Sequence, residues 1–586
     1  MRACLLSLWT LLVGAVGEEG RQLQVATIAP LNSFTAAPSA TITAAPGTGV
    51  GSVEIFSDST DATTTLESEE EEFAEQSEEP ESPESMGVAF TLLGSLTFGM
   101  MLLYLVNWMD DDVRRYSWFV ISMTVSIFCA VLLFSGTTTW LTELVWGSTE
   151  HAVSVQGPFL AFSYAIFVVW FFLLQLVLGF SAGILCGTID EDDLDKEDWV
   201  IDDHLRSSNS EFLPESNILV TRWGRGLGMG LDGFPVFVRQ KFVARERLER
   251  RARSWAVILS HVTAFASIRA GCAFQNAGWF ATNGWSQLLA LIIHQLILSL
   301  LFWISAKLST CRGKSERLLD LYYDQVEESF DDVASLTISF LFCRCVKYGY
   351  SGVMSDLSGY QPEDSIPGNA TGPLLLFGLS IASLVVAIIL IRCCPSEEDL
   401  PMIRLKIQQI SQSAATNCFA WFFLFGTYWT FSALKNGGTW SMSPNSLMAN
   451  LLLSVTMSFL AFAATVILDK FEDALGTKET PDEKRIFKNV ITAVALLVGL
   501  SWEWSFDKAV EVAASVTDNP AWYELGITIG VVVLIIPAWR RYILAKQIYY
   551  DQIKEEMVMG SFIEKERREM QVLFDKNAAR DCAPFA

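Results

Sequence analysis

Basic residues are scarce in this chain of 586 residues: 41 lysines and arginines stand against 66 acidic residues, for a net charge of −25. A phosphate backbone is held by clustered positive charge, so this composition excludes nucleic acid as the partner. Histidine is rarer still, at 4. There is no HExxH, no zinc spacing, no P-loop and no nucleophile elbow, so no enzyme class, cofactor or metal is indicated.

The net charge is also local. Segments 1–86 and 189–216 hold nearly all of it, which leaves the rest of the chain close to neutral. What the sequence has in quantity is apolar surface: 51% of residues are hydrophobic and the mean hydropathy is +0.34. A soluble multidomain protein is excluded on that composition, and the bilayer becomes part of the solvent.

The apolar runs read as about eleven transmembrane helices, at 87–109, 117–136, 158–185, 254–274, 286–306, 332–352, 373–392, 413–434, 447–468, 489–510 and 524–539. Most approach the ~20 residues needed to cross ~30 Å of hydrocarbon. The expected fold is therefore all-α and polytopic, one lead helix followed by five helix pairs. Arg115-Tyr116-Ser117-Trp118 recurs as Arg253-Ser254-Trp255, and later pairs begin near 332, 413 and 489, a weak repeat of roughly 80 residues.

Basic residues divide unevenly between alternate connections. One set carries Arg114 and Arg115, the run Arg239 to Arg253, then Lys307, Arg312, Lys314, Arg392, Arg404, Lys470, Lys488, Arg540 and Arg541. The intervening set holds Lys435 alone. The positive-inside rule makes the first set cytoplasmic. The 11 cysteines avoid the other set, which argues against a disulfide-stapled ectodomain.

Residues 1–17 have the charge, apolar run and small residues of a signal peptide, which places the new N-terminus outside and the C-terminal tail, 546–586, in the cytoplasm. The Thr/Ser/Ala-rich then Glu-rich tail 18–86 lacks the apolar surface that repays ordering and is expected to be disordered. The sequon at Asn369 falls in a predicted outer connection and marks a glycosylation site. Together these features point to a secretory-pathway membrane, with the plasma membrane as the expected destination.

The cytoplasmic insert 187–253 opens acidic, passes through a glycine-rich stretch and closes as a predicted basic helix, Val236 to Arg253. Gly228, Gly230 and Gly233 match G-x-G-x-x-G, but no βαβ unit surrounds them, so a hinge is the better reading. The acidic run lacks EF-hand spacing. The Arg239–Arg253 region is placed to attract anionic inner-leaflet lipid, although the same charges also serve as a topology signal. Cys186, Cys393 and Cys394, at cytoplasmic helix ends, are palmitoylation candidates.

The candidate functional residues are ionisable groups within spans, each costing ~2.5–3.5 kcal/mol at a helix centre on insertion scales. Arg269, Arg344 and Glu503 lie about 15, 12 and 14 residues into their spans, at similar depths for a rise of 1.5 Å per residue. Glu503 and Asp507 share one helix face, as do Arg344 and Lys347. The economical expectation is that the arginines face the acids across a protein-lined interior, lining a path for an ion or small polar solute. The rival is a non-transporting sensor or scaffold in which these charges form structural ion pairs. His261 and His294, on consecutive spans, read as hydrogen-bonded helix contacts that could also line the path. Trp118, Trp285 and Trp539 at span ends read as interfacial anchors.

Overall fold

The computed structural model describes residues 99–147, 156–185, 198–201, 238–241, 243–310, 316–357, 359–362, 365–366, 370–393, 402–436, 443, 445–475, 481–517 and 519–550. All belong to the unit Leu93–Ala586; the other unit is Met1–Leu92. The leader, the tail 18–86, Cys186, Asn369, Cys394, the glycine-rich stretch and most of the C-terminal tail lie outside the described residues. Cys393 ends a helix, but its side chain also lies outside them.

After a helical stretch at 99–106 come α1 (Asp111–Trp146), α2 (Gln156–Ser181), the strands β1 (Asp198–Ile201) and β2 (Val238–Lys241), then α3 (Val243–Gln275) and α4 (Gly284–Thr310). These are followed by α5 (Glu316–Ser351), α6 (Thr371–Cys393), α7 (Met402–Asn436), α8 (Leu447–Leu475), α9 (Pro481–Ala514) and α10 (Pro520–Ala538). Eight of these helices are long and apolar enough to cross a membrane; α5 and α7 are not among the eight. The reason is visible in their sequences: α5 carries Arg344 and Lys347 within its length, and α7 carries Gln408, Gln409, Gln412, Thr416 and Asn417.

Those two helices instead lie at the centre. α1, α3, α5, α7 and α9 each pack against the next, and α9 returns to α1, closing a ring of five. The apolar stretches of α3, α9 and α1 are 83%, 67% and 56% buried, against 17% to 39% for α2, α4, α6, α8 and α10. The even-numbered helices form the outer layer. α2 packs on α3, α4 on α5, α6 on α7, α8 on α9, and α10 on α1. A helix whose neighbours are protein can carry polar side chains; one facing lipid cannot, which sorts the polar sequences inward.

Hydrogen bonds fix the register of the ring. Thr124 of α1 donates to the Ala495 carbonyl of α9 and Ser135 to Asp507, so these helices run the same way. Ser260 reaches Asp332, and Arg344 reaches the Cys272 carbonyl, aligning α3 with α5 in the same sense. Asn417 donates to Ser335, adding α7. All five inner helices therefore start at one end, the end carrying the basic connections, called the basic end below. The described cysteines Cys129, Cys272, Cys343, Cys345 and Cys418 are buried thiols within this ring, with no disulfide among them.

Two expectations need correction. The predicted basic helix from Val236 starts only at Val243, because Val238–Lys241 pairs with Asp198–Ile201 as an antiparallel ribbon. Trp199, Val200, Ile201 and Val238 are β-branched or aromatic, the residue types that favour extended pairing. Trp539 is buried, not interfacial. Past Pro537 the last helix widens into a π-turn, Trp539–Ile543, and the indole N–H donates to the Ser122 carbonyl and hydroxyl at 3.1 and 3.0 Å. Trp285 is 60% exposed.

Candidate functional site

The inner helices border a half-open cavity of ≈ 60 Å³, lined by polar and apolar side chains together, to which every one of them contributes. α1 supplies Met123 and Ile127, and α3 supplies His261. Asp332 and Ser335 come from α5, Thr416 and Asn417 from α7, and Asn489 and Thr492 from α9. At the ~10–15 Å³ that one water needs on this measure, the space holds several waters. Asp332 is the carboxylate of the lining; Ser260 points its hydroxyl at it from 3.5 Å, and Lys488, Glu328 and Asp331 are the charged groups near enough to act on it. Asp331 and Glu327 are themselves engaged by Lys406 at the basic end.

The cavity-lining faces continue toward the opposite end. On α9, Thr492, Leu496, Gly499, Glu503 and Asp507 recur at spacings of three and four, one stripe of a helix. On α5 the stripe through Asp332 and Leu336 reaches Phe340, Cys343 and Lys347 in the same way. Between cavity and acids α1 and α9 pack closely, forming a waist on this side of the ring. A Cβ on Gly499 would stand 3.1–3.2 Å from the Ile127 side chain, so glycine is what lets α1 approach α9 here.

Beyond this waist lies an aromatic layer. Phe340 packs on Trp421 with centroids 4.8 Å apart, Trp421 stacks on Phe425, and Trp504 lies against Phe425 and Tyr428. Tyr360, from the connection between α5 and α6, completes it at 4.6 Å from Trp504 and 5.6 Å from Tyr428. That connection is folded in as a tight turn: the Asp356 N–H donates to the Tyr360 carbonyl, and the Tyr360 N–H donates back to the Asp356 carboxylate at 2.7 Å. Gly359, at φ +92°, sits so close to the layer that a Cβ would meet Phe425 at 2.9 Å and Phe340 at 3.1 Å.

Two buried cations pin the turn. The Arg344 guanidinium donates to the Ser355 carbonyl at 2.6 Å and hydroxyl at 3.2 Å, the Asn276 and Gln275 side-chain oxygens at 2.9 and 3.2 Å, and the Cys272 carbonyl at 3.1 Å. Lys347 donates to the Gly359 carbonyl at 2.6 Å with its ammonium 3.6 Å from the Phe425 ring centre. Neutral oxygens thus surround both charges, an arrangement that can hold a cation in low dielectric when donors are matched one by one.

The expected pairing of arginines with acids does not form. Arg269 instead donates to Thr142 at 3.2 Å and lies over the Phe159 ring. Glu503, 5% exposed, has no hydrogen-bond or ion-pair partner among the described residues, and Asp507 is the nearest charge acting on it. Asp507 accepts from Ser135 at 3.1 Å. Both acids lie close enough to Tyr360 to act on its phenol, which burial chiefly and these charges secondarily hold above its ordinary pKa. Tyr360 is accordingly a neutral donor.

The two histidines separate. His261 lines the cavity, whereas His294 is a junction of α4, α2 and α3, within 2.8 Å of the Tyr164 hydroxyl and 2.9 Å of the Ser267 hydroxyl. Arg251 is drawn out of the basic cluster, donating to the Ser181 and Phe180 carbonyls that end α2, where a cation is favoured. Asp332, Asn417 and Asn489 were missed from the sequence. Asp332 opens its predicted span and so reads as an interfacial residue, and neutral amides carry no charge to mark them.

Comparison with protein-family models, curated proteins and solved structures gives no match.

Proposed function

We propose that the protein is a multi-pass transporter or channel that passes an ion or small polar solute along the axis of its inner ring. The observation that carries this reading is the cavity on that axis, lined by side chains from all five inner helices, with polar groups from α3, α5, α7 and α9. Polar side chains placed where lipid cannot reach and water can are costly to keep unless they serve a path or a site. In this reading α5 and α7 also cross the bilayer, and the basic end faces the cytoplasm, with lipid around the outer helices. Solute enters the cavity from the basic end. The Ile127–Gly499 waist and the aromatic layer, sealed by Tyr360, hold the path shut toward Glu503 and Asp507.

The second reading, a sensor or scaffold, is favoured by Arg344 and Lys347, whose donors serve the fold alone. Flux separates the two. In proteoliposomes made with purified protein, Tyr360→Ala should raise ion or solute flux above wild type and Glu503→Gln should alter it. Absence of flux for every solute tested, with both variants folded, refutes transport and leaves the scaffold.

A further inference from the structure

We infer that the axial cavity is a binding site for a monovalent alkali cation, held by the Asp332 carboxylate and a shell of neutral side-chain oxygens. This deepens the transport reading and rests on it for the ion's passage, though not for its binding.

The donor set decides the chemistry. Hard cations take oxygen ligands, and the charge they need scales with their own. The cavity offers one carboxylate, the hydroxyls of Ser335, Ser413, Thr416 and Thr492, the amide oxygens of Asn417 and Asn489, and one imidazole, that of His261. A divalent ion calls for more: calcium takes six to eight oxygens, commonly from several carboxylates. Among the described residues no three His, Cys, Asp or Glu side chains converge to hold a metal, so a transition metal or divalent site is not assembled. An anion would face Asp332 directly, with Glu328 and Asp331 behind it and Lys488 as the opposing cation.

Two further observations point to an occupant. Ser413 and Asn489, both partly exposed, leave their side-chain oxygens free among the described residues to meet an ion, while other lining hydroxyls bond their own helix, as Thr416 does to the Gln412 carbonyl and Thr492 to the Lys488 carbonyl. The volume of ≈ 60 Å³ has room for one partly dehydrated ion with its remaining waters.

The test uses the purified full-length protein in detergent, with thermal unfolding followed by tryptophan fluorescence in sodium, potassium or choline chloride at matched ionic strength and pH. Sodium or potassium should raise the midpoint saturably over choline, as expected for a ligand that binds the folded state alone. Asp332→Asn, nearly isosteric, should weaken the apparent affinity by about tenfold or more, the loss of a charged contact. If that variant does not fold, Asn489→Ala should still reduce the affinity. Equal midpoints in choline and alkali salts overturn the site, as does an alkali shift of undiminished affinity in the folded variants. A midpoint that follows pH through Asp332 but is the same in all three salts also overturns it, in favour of a proton. Flux in proteoliposomes is scored separately. Ion-dependent stabilisation without flux refutes passage and keeps the site; flux without Asp332-dependent stabilisation refutes the site and keeps passage.

Discussion

Gly359→Ala is the substitution that most directly asks whether the inserted turn is a seal. Two penalties act on the seated turn. An L side chain in the left-handed region costs ~1–2 kcal/mol, and Gly359 sits there at φ +92°. The new methyl would also stand 2.9 Å from Phe425 and 3.1 Å from Phe340. These are ring carbons packed against Trp421 and Trp504, so they cannot swing aside as a flexible chain end would. Overpacking of this kind costs ~1–3 kcal/mol. Together the seated state loses about 2–5 kcal/mol relative to a withdrawn one, which multiplies the withdrawn population by roughly thirtyfold to a few thousandfold. Hydrogen exchange reads this directly, because the Asp356 and Tyr360 amides are both bonded inside the turn. Their exchange should accelerate by that factor while amides of α3 and α9 keep their protection, and proteoliposome leak should rise in parallel. Unchanged exchange across 353–361 in a folded variant refutes the argument that the glycine is what permits seating.

Three further outcomes follow from packing. Arg344→Lys should destabilise the protein by about 2–5 kcal/mol in denaturant or thermal unfolding, since a single ammonium cannot serve the five acceptors of the guanidinium fork and leaves buried oxygens unpaired; a loss below about 0.5 kcal/mol counts against the pinning role. Gly499→Leu should part α1 from α9 and lower stability by about 1–3 kcal/mol, with Ile127→Ala restoring part of it in a double-mutant cycle; strict additivity would show that the two do not touch. His294→Phe should cost about 1–3 kcal/mol by orphaning the Tyr164 and Ser267 hydroxyls, and flux per folded molecule should stay unchanged because His294 lies off the axis.

Membrane character was legible from apolar runs such as 158–185 and 373–392, which became the lipid-facing α2 and α6. Relative height along a helix was legible too, since it follows from residue counts. Azimuth was not. Arg344 and Glu503 share a level, but which way each points depends on which helix stands beside α5 and α9, and the basic groups found carbonyls from a helix end and a connection instead. A rule that prices charge within spans flags Glu503 and passes over Asn417 and Asn489, which do as much to make the cavity polar. The helices least convincing as spans, α5 and α7, were the ones whose polarity marked the interior.

The contact of α10 with α1, fastened by the Trp539 indole on Ser122, joins the last helix of the described bundle to its first long one. In a chain threaded into the bilayer from its N-terminus, α1 must wait through the synthesis of some 370 further residues before that partner emerges. Until then its flank with Ser122 borders lipid or an insertion chaperone, as its faces with Thr124 and Ser135 do until α9 emerges. Ring closure by α9 and the covering of α1 by α10 are therefore late events in biogenesis, and a nascent chain arrested before α10 leaves the Ser122 flank of α1 uncovered, which cellular quality control can read as unfinished.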